Sequence, residues 1–274
     1  MQTYLKTKDH FLSQEEFDLR LDPHLDMLIT HPQPEDLYPY YKSKNYISHT
    51  DNKKTITAYI YALVKKYAIR KKIRLLNQLQ PTSKTVLDIG AGTGDFLKAA
   101  KTNHWTTTGV EPNEGAVTIA LSKGITLKKN LSEITSTSSV ITLWHVLEHL
   151  PNLDDQLKKI TSLLQPNGYL IIAVPNYKSY DAQYYKSHWA AYDVPRHLWH
   201  FSSKSISMLL KPHGLSLIKT LPMPFDSYYV SLLSEKYKNG KSSIFPALLT
   251  GLRSNLKASR NGQYSSLIYV LKKD

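Results

Sequence analysis

Lys84-Thr-Val-Leu-Asp-Ile-Gly-Ala-Gly-Thr-Gly-Asp-Phe-Leu97 decides the fold of this chain, because an apolar run passes directly into a glycine-rich turn that opens a helix. Such a turn places a small ligand at the carboxyl end of the strand. Gly90, Gly92 and Gly94 let the backbone take positive φ and come close to that ligand, where a Cβ would obstruct it. The spacing is G-x-G-x-G, whereas a dinucleotide fingerprint carries its third glycine one position later and a pyrophosphate on the helix N-terminus. Asp88 precedes the first glycine and Asp95 follows the last. Carboxylates beside the turn repel a pyrophosphate and suit a cationic or amine-bearing ligand, so the loop points to a nucleoside without phosphates.

Three further stretches follow at the spacing of strand–helix–strand units. Thr108-Gly-Val-Glu-Pro-Asn113 ends a second strand in an acid, Glu111, about twenty residues past the first glycine, where a carboxylate can accept both ribose hydroxyls. Val140-Ile-Thr-Leu-Trp-His-Val-Leu-Glu-His-Leu150 reads as a fourth strand and its turn. Gln165-Pro-Asn-Gly-Tyr-Leu-Ile-Ile-Ala-Val-Pro-Asn176 reads as a helix end, a tight turn and a fifth strand. Together the four blocks resemble the class I S-adenosylmethionine-dependent methyltransferases, whose first motif reads close to V-L-D-x-G-x-G-x-G. The resemblance covers roughly residues 84–221. It implies S-adenosylmethionine as cofactor, contacted by Asp88, Gly90, Ala91, Gly92, Gly94, Glu111, Pro112, Leu131 and His145. For the adenine, the family often uses a polar residue after the third strand, and Asn130, Leu131 and Ser132 occupy that neighbourhood.

At 274 residues with 41% hydrophobic content, the chain can bury one large core, or a core plus a small appendage. No apolar run approaches the eighteen or so residues that span a bilayer, and Met1 to Arg20 is polar rather than signal-like. The expected location is the cytoplasm. The absence of cysteine removes disulfides, thiolate zinc sites and cysteine nucleophiles together. A net charge of +13 suits anionic partners such as nucleic acid, acidic lipid headgroups or phosphorylated sugars, and serves solubility equally well.

The expected organisation is an N-terminal cap over 1–80 and a methyltransferase domain over 81–274, with an insertion at 222–262. In the cap, Phe17, Leu19 and Leu21 alternate, Asp22-Pro23 breaks the run, and Leu25, Met27 and Ile29 alternate again, which predicts a small hairpin on one edge. The Tyr-rich stretch Leu37 to Thr50 supplies lid candidates in Tyr40, Tyr41, Tyr46 and His49, because a segment before the core folds over the cofactor in related methyltransferases. Lys53 to Leu79 reads as an amphipathic helix with Ile56, Ile60, Leu63, Tyr67, Ile73 and Leu76 on one face. Lys65, Lys66, Arg70, Lys71, Lys72 and Arg74 form its expected solvated face.

The remainder alternates strand and helix in the order of an α/β, doubly wound, Rossmann-like sheet. Strands are expected near 85–89, 107–111, 125–128, 139–144 and 169–174, with a sixth over Leu215 to Leu221 and a terminal one over Tyr264 to Lys272 that the family inserts antiparallel. That makes seven strands, with a helical insertion before the last. From Lys204 onward there are eleven Lys or Arg against Asp226, Glu235 and Asp274, so the insertion is where substrate or partner recognition is expected.

Methyl transfer asks for in-line positioning of a nucleophile and, for a hydroxyl, removal of its proton. The turn after the fourth strand offers His145, Glu148 and His149, and the segment after the fifth offers Asp193-Val-Pro-Arg-His-Leu-Trp-His-Phe-Ser202. His149 and His197 are the expected catalytic pair. The Glu-His pair with a later His resembles the ubiquinone-pathway catechol O-methyltransferases and the small-RNA 2′-O-methyltransferases, in which E-x-x-E-H and a downstream His hold a divalent metal. His145 stands where that motif has its first Glu, so no metal is the expectation; His145, Glu148, His149 and His197 are the set able to bind one. O-methylation of a small molecule is the expected activity. Methylation of a nucleic acid is the alternative that the basic balance favours, without a recognisable aromatic-basic module. A non-catalytic S-adenosylmethionine-binding regulator or scaffold is the alternative of another class. Oligomeric state is left open.

Overall fold

Val86, Leu87 and Ile89 alternate along the strand at Thr85–Ile89 and are all buried, so both of its faces must be covered by helices. The computed structural model describes residues 1–41 and 56–274, with helix side chains given from residue 62 onward. The helices are α1 (Tyr38–Tyr41), α2 (Ile56–Gln78), α3 (Asp95–Thr102), α4 (Glu114–Ser122), α5 (Leu153–Ser162), α6 (Tyr180–Tyr185), α7 (Ser205–Leu210), α8 (Asp226–Asn239) and α9 (Ile244–Asn261). The strands are β1 (Gln2–Lys8), β2 (Glu16–Asp22), β3 (Met27–His31), β4 (Thr85–Ile89), β5 (Thr106–Val110), β6 (Ser138–Trp144), β7 (Leu164–Pro175), β8 (Trp199–His200), β9 (Leu215–Pro222) and β10 (Ser266–Lys273).

Six strands form the central sheet in the order β5-β4-β6-β7-β10-β9. β4 pairs parallel with β5 and β6, and β6 with β7, while β10 runs antiparallel between β7 and β9. Leu87 and Ile89 join a core with Leu157 and Ile160 of α5; Val86 faces the other way, into a core with Ile73 and Leu76 of α2 and Leu97 of α3. The expected strand at 125–128 is instead one bridge between Val110 and Lys128. Lys128 N donates to Gly109 O and Glu111 N to Lys128 O, both at 2.9 Å. A capping box between Asn130 and Glu133 then turns the chain away before a ladder can grow, so among the described residues the sheet has six strands.

The N-terminal hairpin is part of a second, antiparallel sheet in the order β1-β2-β3-β8. β1 has no signature in the sequence, because among its residues only Thr7 is buried, which leaves no apolar alternation. β8 comes from the segment after β7 and pairs Leu28 with His200 and Ile29 with Trp199. A buried ion pair clamps this sheet to that segment. Arg196 is 1% exposed and its Nη2 lies 2.8 Å from Asp9 Oδ1 and 2.7 Å from Asp193 Oδ1. The Asp9 carboxylate also accepts from the backbone N–H groups of Phe11, Leu12 and Ser13. Arg196→Lys keeps one charge but loses the fork that reaches both acids, so it is expected to destabilise the protein by about 1–3 kcal/mol in urea unfolding.

In α2 the apolar face is shorter than expected. Ile73, Leu75 and Leu76 are buried, but Leu63 and Tyr67 are about half exposed. Ile56 and Ile60 fall outside the described side chains. Nor are the basic residues uniformly solvated: Lys65 pairs with Asp95 at 2.7 Å, and Lys72 turns inward over the Trp144 ring, 4.1 Å from its centroid.

Candidate active site

Gly90 and Ala91 both donate to Val110 O, at 2.8 and 3.0 Å, which folds the glycine turn over the end of β5. The three glycines then serve different ends. A Cβ on Gly90 would meet Val146 at 2.3 Å, and one on Gly94 would press on Ala120 at 3.1 Å, so both permit close packing within the protein. A Cβ on Gly92 would meet nothing within 4 Å, at a φ of +52°. Gly92 alone faces open space.

Glu111 braces this turn. Its Oε2 accepts from Gly92 N at 2.8 Å and its Oε1 from Asn113 N at 2.9 Å, while Asn113 Oδ1 caps α4 through Ala116 N. Pro112 is exposed beside it, and Leu131 is half-buried against the core in a short 3-10 turn. Asn130 is committed to its capping box and Ser132 is exposed. Asp95 is not aimed at the turn's open space, since Lys123 and Lys65 hold it at 2.7 Å each and tie α3 to its neighbours.

Asp88 is buried and accepts a 2.5 Å hydrogen bond from Thr142. Burial pushes its carboxyl up to about 7, against the opposing pull of that bond and of the Lys72 ammonium. The same burial brings Lys72 down to about 8, with Asp88 and Asp226 resisting. An under-compensated carboxylate and an open glycine turn fit a ligand that brings a cation and a ribose, which is the chemistry of S-adenosylmethionine.

His145 turns away from the sheet at a φ of +57° and points Nε2 at Asp226 Oδ2, 3.3 Å away, with Nδ1 3.5 Å from Glu148 Oε1. Burial opposes its charge, but the two carboxylates outweigh it and raise the imidazole to about 10. His145 thus joins the start of α8 to the turn after β6 as a cation. Nothing in the sequence signals a site role for Asp226 or Lys72: Asp226 lies far from any motif, and Lys72 is one of six basic residues between 65 and 74.

Glu148, His149 and His197 do converge, with one ligand atom of each within 4.8 Å of the others, and the two imidazoles meet edge to face with centroids 4.5 Å apart. His149 Nδ1 lies 3.0 Å from Arg196 O and 3.0 Å from Tyr41 OH. His197 Nδ1 lies 2.9 Å from Ala191 O. A carbonyl oxygen at that distance needs a donor, so both rings carry their proton on Nδ1 and leave a lone pair on Nε2. Burial brings His149 down to about 4. Neither oxygen of the buried Glu148 receives a well-formed hydrogen bond among the described residues. The two Nε2 lone pairs and the Glu148 carboxylate are acceptors that a proton or a cation would satisfy further. His145 borders this cluster through its 3.5 Å ion pair with Glu148, while its other nitrogen faces Asp226. Of the lid candidates, Tyr41 reaches His149 and Tyr40 donates to Glu15 at 2.5 Å, while Tyr46 and His49 lie outside the described residues.

The sequence profile of the methyltransferase-domain family matches residues 62–220, more than half of the chain. The chain belongs to this family, and its class is that of the S-adenosylmethionine-dependent methyltransferases. No curated protein matches it at the level of sequence. Among solved structures, the fold resembles magnesium protoporphyrin IX methyltransferase of Synechocystis PCC 6803 with bound S-adenosylhomocysteine, at 14% identity over 86% of this chain and 97% of that one, with a TM-score of 0.57. A cyclopropane synthase of Mycobacterium tuberculosis is similar at 14% identity over 74% of this chain and 83% of that one, TM-score 0.52. StiE O-MT is similar at 17% identity over 81% and 78%, TM-score 0.53.

Proposed function

We propose that this protein transfers a methyl group from S-adenosylmethionine to a hydroxyl of a small, largely apolar molecule. The cofactor supplies an electrophilic methyl group when bound. Around it, Gly92 leaves room for close approach, Glu111 accepts ribose hydroxyls, and Asp88 favours a nearby cation. The observation that carries O-methylation is the acceptor cluster of His149, His197 and Glu148. A neutral amine needs no base to be methylated, whereas a hydroxyl must surrender a proton, and an Nε2 lone pair beside a buried carboxylate is suited to take it.

A cavity of about 250 Å³ between α2 and the β9–β10 edge supports the substrate class. Tyr67, Leu221, Met223 and Phe225 supply apolar walls, and Lys71, Arg74 and Lys219 add positive charge. Lys72 and Asp226 line it as well and belong to the charge network around Asp88 and His145, so the cavity adjoins the reacting centre. An aromatic or aliphatic body carrying an anionic group fits it. A second reading, in which Glu148, His149 and His197 hold a divalent cation that acidifies the hydroxyl, is favoured by the convergence of their ligand atoms within 4.8 Å and by the lack of a hydrogen bond to either Glu148 oxygen among the described residues.

The test is methyl-labelled S-adenosylmethionine offered with phenols, catechols and hydroxy acids beside amines of matching size, after S-adenosylhomocysteine binding has been measured by calorimetry. Label in hydroxyl acceptors alone is the expected outcome. Label confined to amines would overturn O-methylation, and absent cofactor binding would overturn the enzyme.

A further inference from the structure

Helix α9 is packed inside out. It turns Ala247, Gly251, Ser254 and Ala258 into the protein, all buried, and Ser254 Oγ donates to Asp181 at 2.7 Å. A Cβ on Gly251 would stand 2.6 Å from the Tyr228 ring, so α9 and α8 approach closely only because that face is small. The large side chains lie on the other face: Ile244, Phe245, Leu248, Leu249, Leu252 and Leu256 are 37% to 76% exposed. At 100° per residue they span one continuous arc, with Arg253 and Arg260 along its border. An arc of six large apolar residues facing water marks a surface that is covered in use.

Charge selects what covers it. From Asp226 to Asn261 the two helices and their connection carry Lys236, Lys238, Lys241, Arg253, Lys257 and Arg260 against Asp226 and Glu235. Neither acid is free to offset them: Asp226 faces His145, and Glu235 is buried, accepting from Tyr185 and Asn239. A second copy of a chain with net charge +13 would bring like charges together at this arc, whereas an anionic surface neutralises them. We propose that α9 seats the protein on an anionic membrane surface, lying in the plane of the interface with its apolar arc among the acyl chains and Arg253 and Arg260 at the phosphates. Among the described residues no helix is long and apolar enough to cross a membrane, so α9 lies on it. Asn255 Nδ2 donates to Pro224 O at 2.8 Å, which ties the seat to the turn whose Phe225 lines the cavity. An apolar substrate could then pass from the lipid to the cavity, a consequence that rests on the proposed substrate reading; the docking does not.

The experiment is co-sedimentation of the full chain with vesicles of phosphatidylcholine alone and of phosphatidylcholine mixed with phosphatidylglycerol, at low and high salt. Binding to the mixed vesicles that weakens with salt is expected. Arg253→Ser with Arg260→Ser should lower it roughly thirtyfold, two basic residues at about 1 kcal/mol each. Phe245→Ser with Leu252→Ser should remove it. The affected side chains are exposed, and unchanged melting and S-adenosylhomocysteine affinity verify that the variants remain folded. Equal or absent sedimentation on the two vesicle types would overturn the proposal. So would sedimentation velocity showing a dimer that the Phe245/Leu252 variant makes monomeric, which would assign the arc to a second copy.

Discussion

Gly92→Val is expected to lower S-adenosylhomocysteine affinity by about a hundredfold or more while leaving the protein folded. The substituted Cβ meets no protein atom within 4 Å, so the fold loses only the backbone strain of a β-branched residue at φ +52°, about 1–3 kcal/mol. A ligand seated on the turn meets the whole side chain. Gly90→Val serves as the contrast, because its Cβ would strike Val146 at 2.3 Å and should damage stability as well as binding. Calorimetric titration beside thermal melting separates the two. Glu111→Ala should also weaken the cofactor, by about 1–3 kcal/mol for each charge-assisted hydrogen bond lost, and it leaves Gly92 N and Asn113 N without their acceptor. Intact S-adenosylhomocysteine affinity in both Gly92→Val and Glu111→Ala would remove the glycine turn from the cofactor site.

The second large effect concerns the paired imidazoles. His149→Ala or His197→Ala is expected to cut turnover by about 10²–10⁴-fold with cofactor affinity retained, since each removes an Nε2 lone pair from the acceptor cluster. The pH dependence has a defined sign. With His149 brought down to about 4, its ring is neutral across the physiological range, so base activity is present above that value and is lost as pH falls through it. A free imidazole would instead lose it near 6.5. Turnover of wild type with and without chelator divides base from metal: indifference to chelator together with slow variants supports the base, and loss on chelation supports a cation held by Glu148, His149 and His197. Full activity in both variants would show that the histidines only shape the loop.

Much of the frame was legible because it is local. Asp88, Gly92 and Glu111 lie in two strand-to-helix turns whose conformations depend on a few neighbouring residues, and the turns formed where the spacing indicated. The convergence of His149 and His197 was legible too, since both lie beyond the carboxyl ends of adjacent strands in a doubly wound sheet. The direction of Lys72 is not legible in sequence, because a long basic side chain on a half-exposed helix can turn either way, and Trp144 together with the charges of Asp88 and Asp226 favours the inward one. The setting of Arg196 was not legible either, because the acid that completes it, Asp9, lies 187 residues away in the sequence.

The sequence by itself determined the parallel sheet and the open glycine turn, because glycine spacing and strand periodicity act over a dozen residues. Tertiary structure alone decided which partner each charge takes, as with Asp226 on His145, since that choice depends on elements brought together from distant parts of the chain. It also decided which side of α9 faces inward. Periodicity announces an apolar face and implies that it is buried; the close approach of α8 at Gly251 demanded small residues there and left the large ones outside.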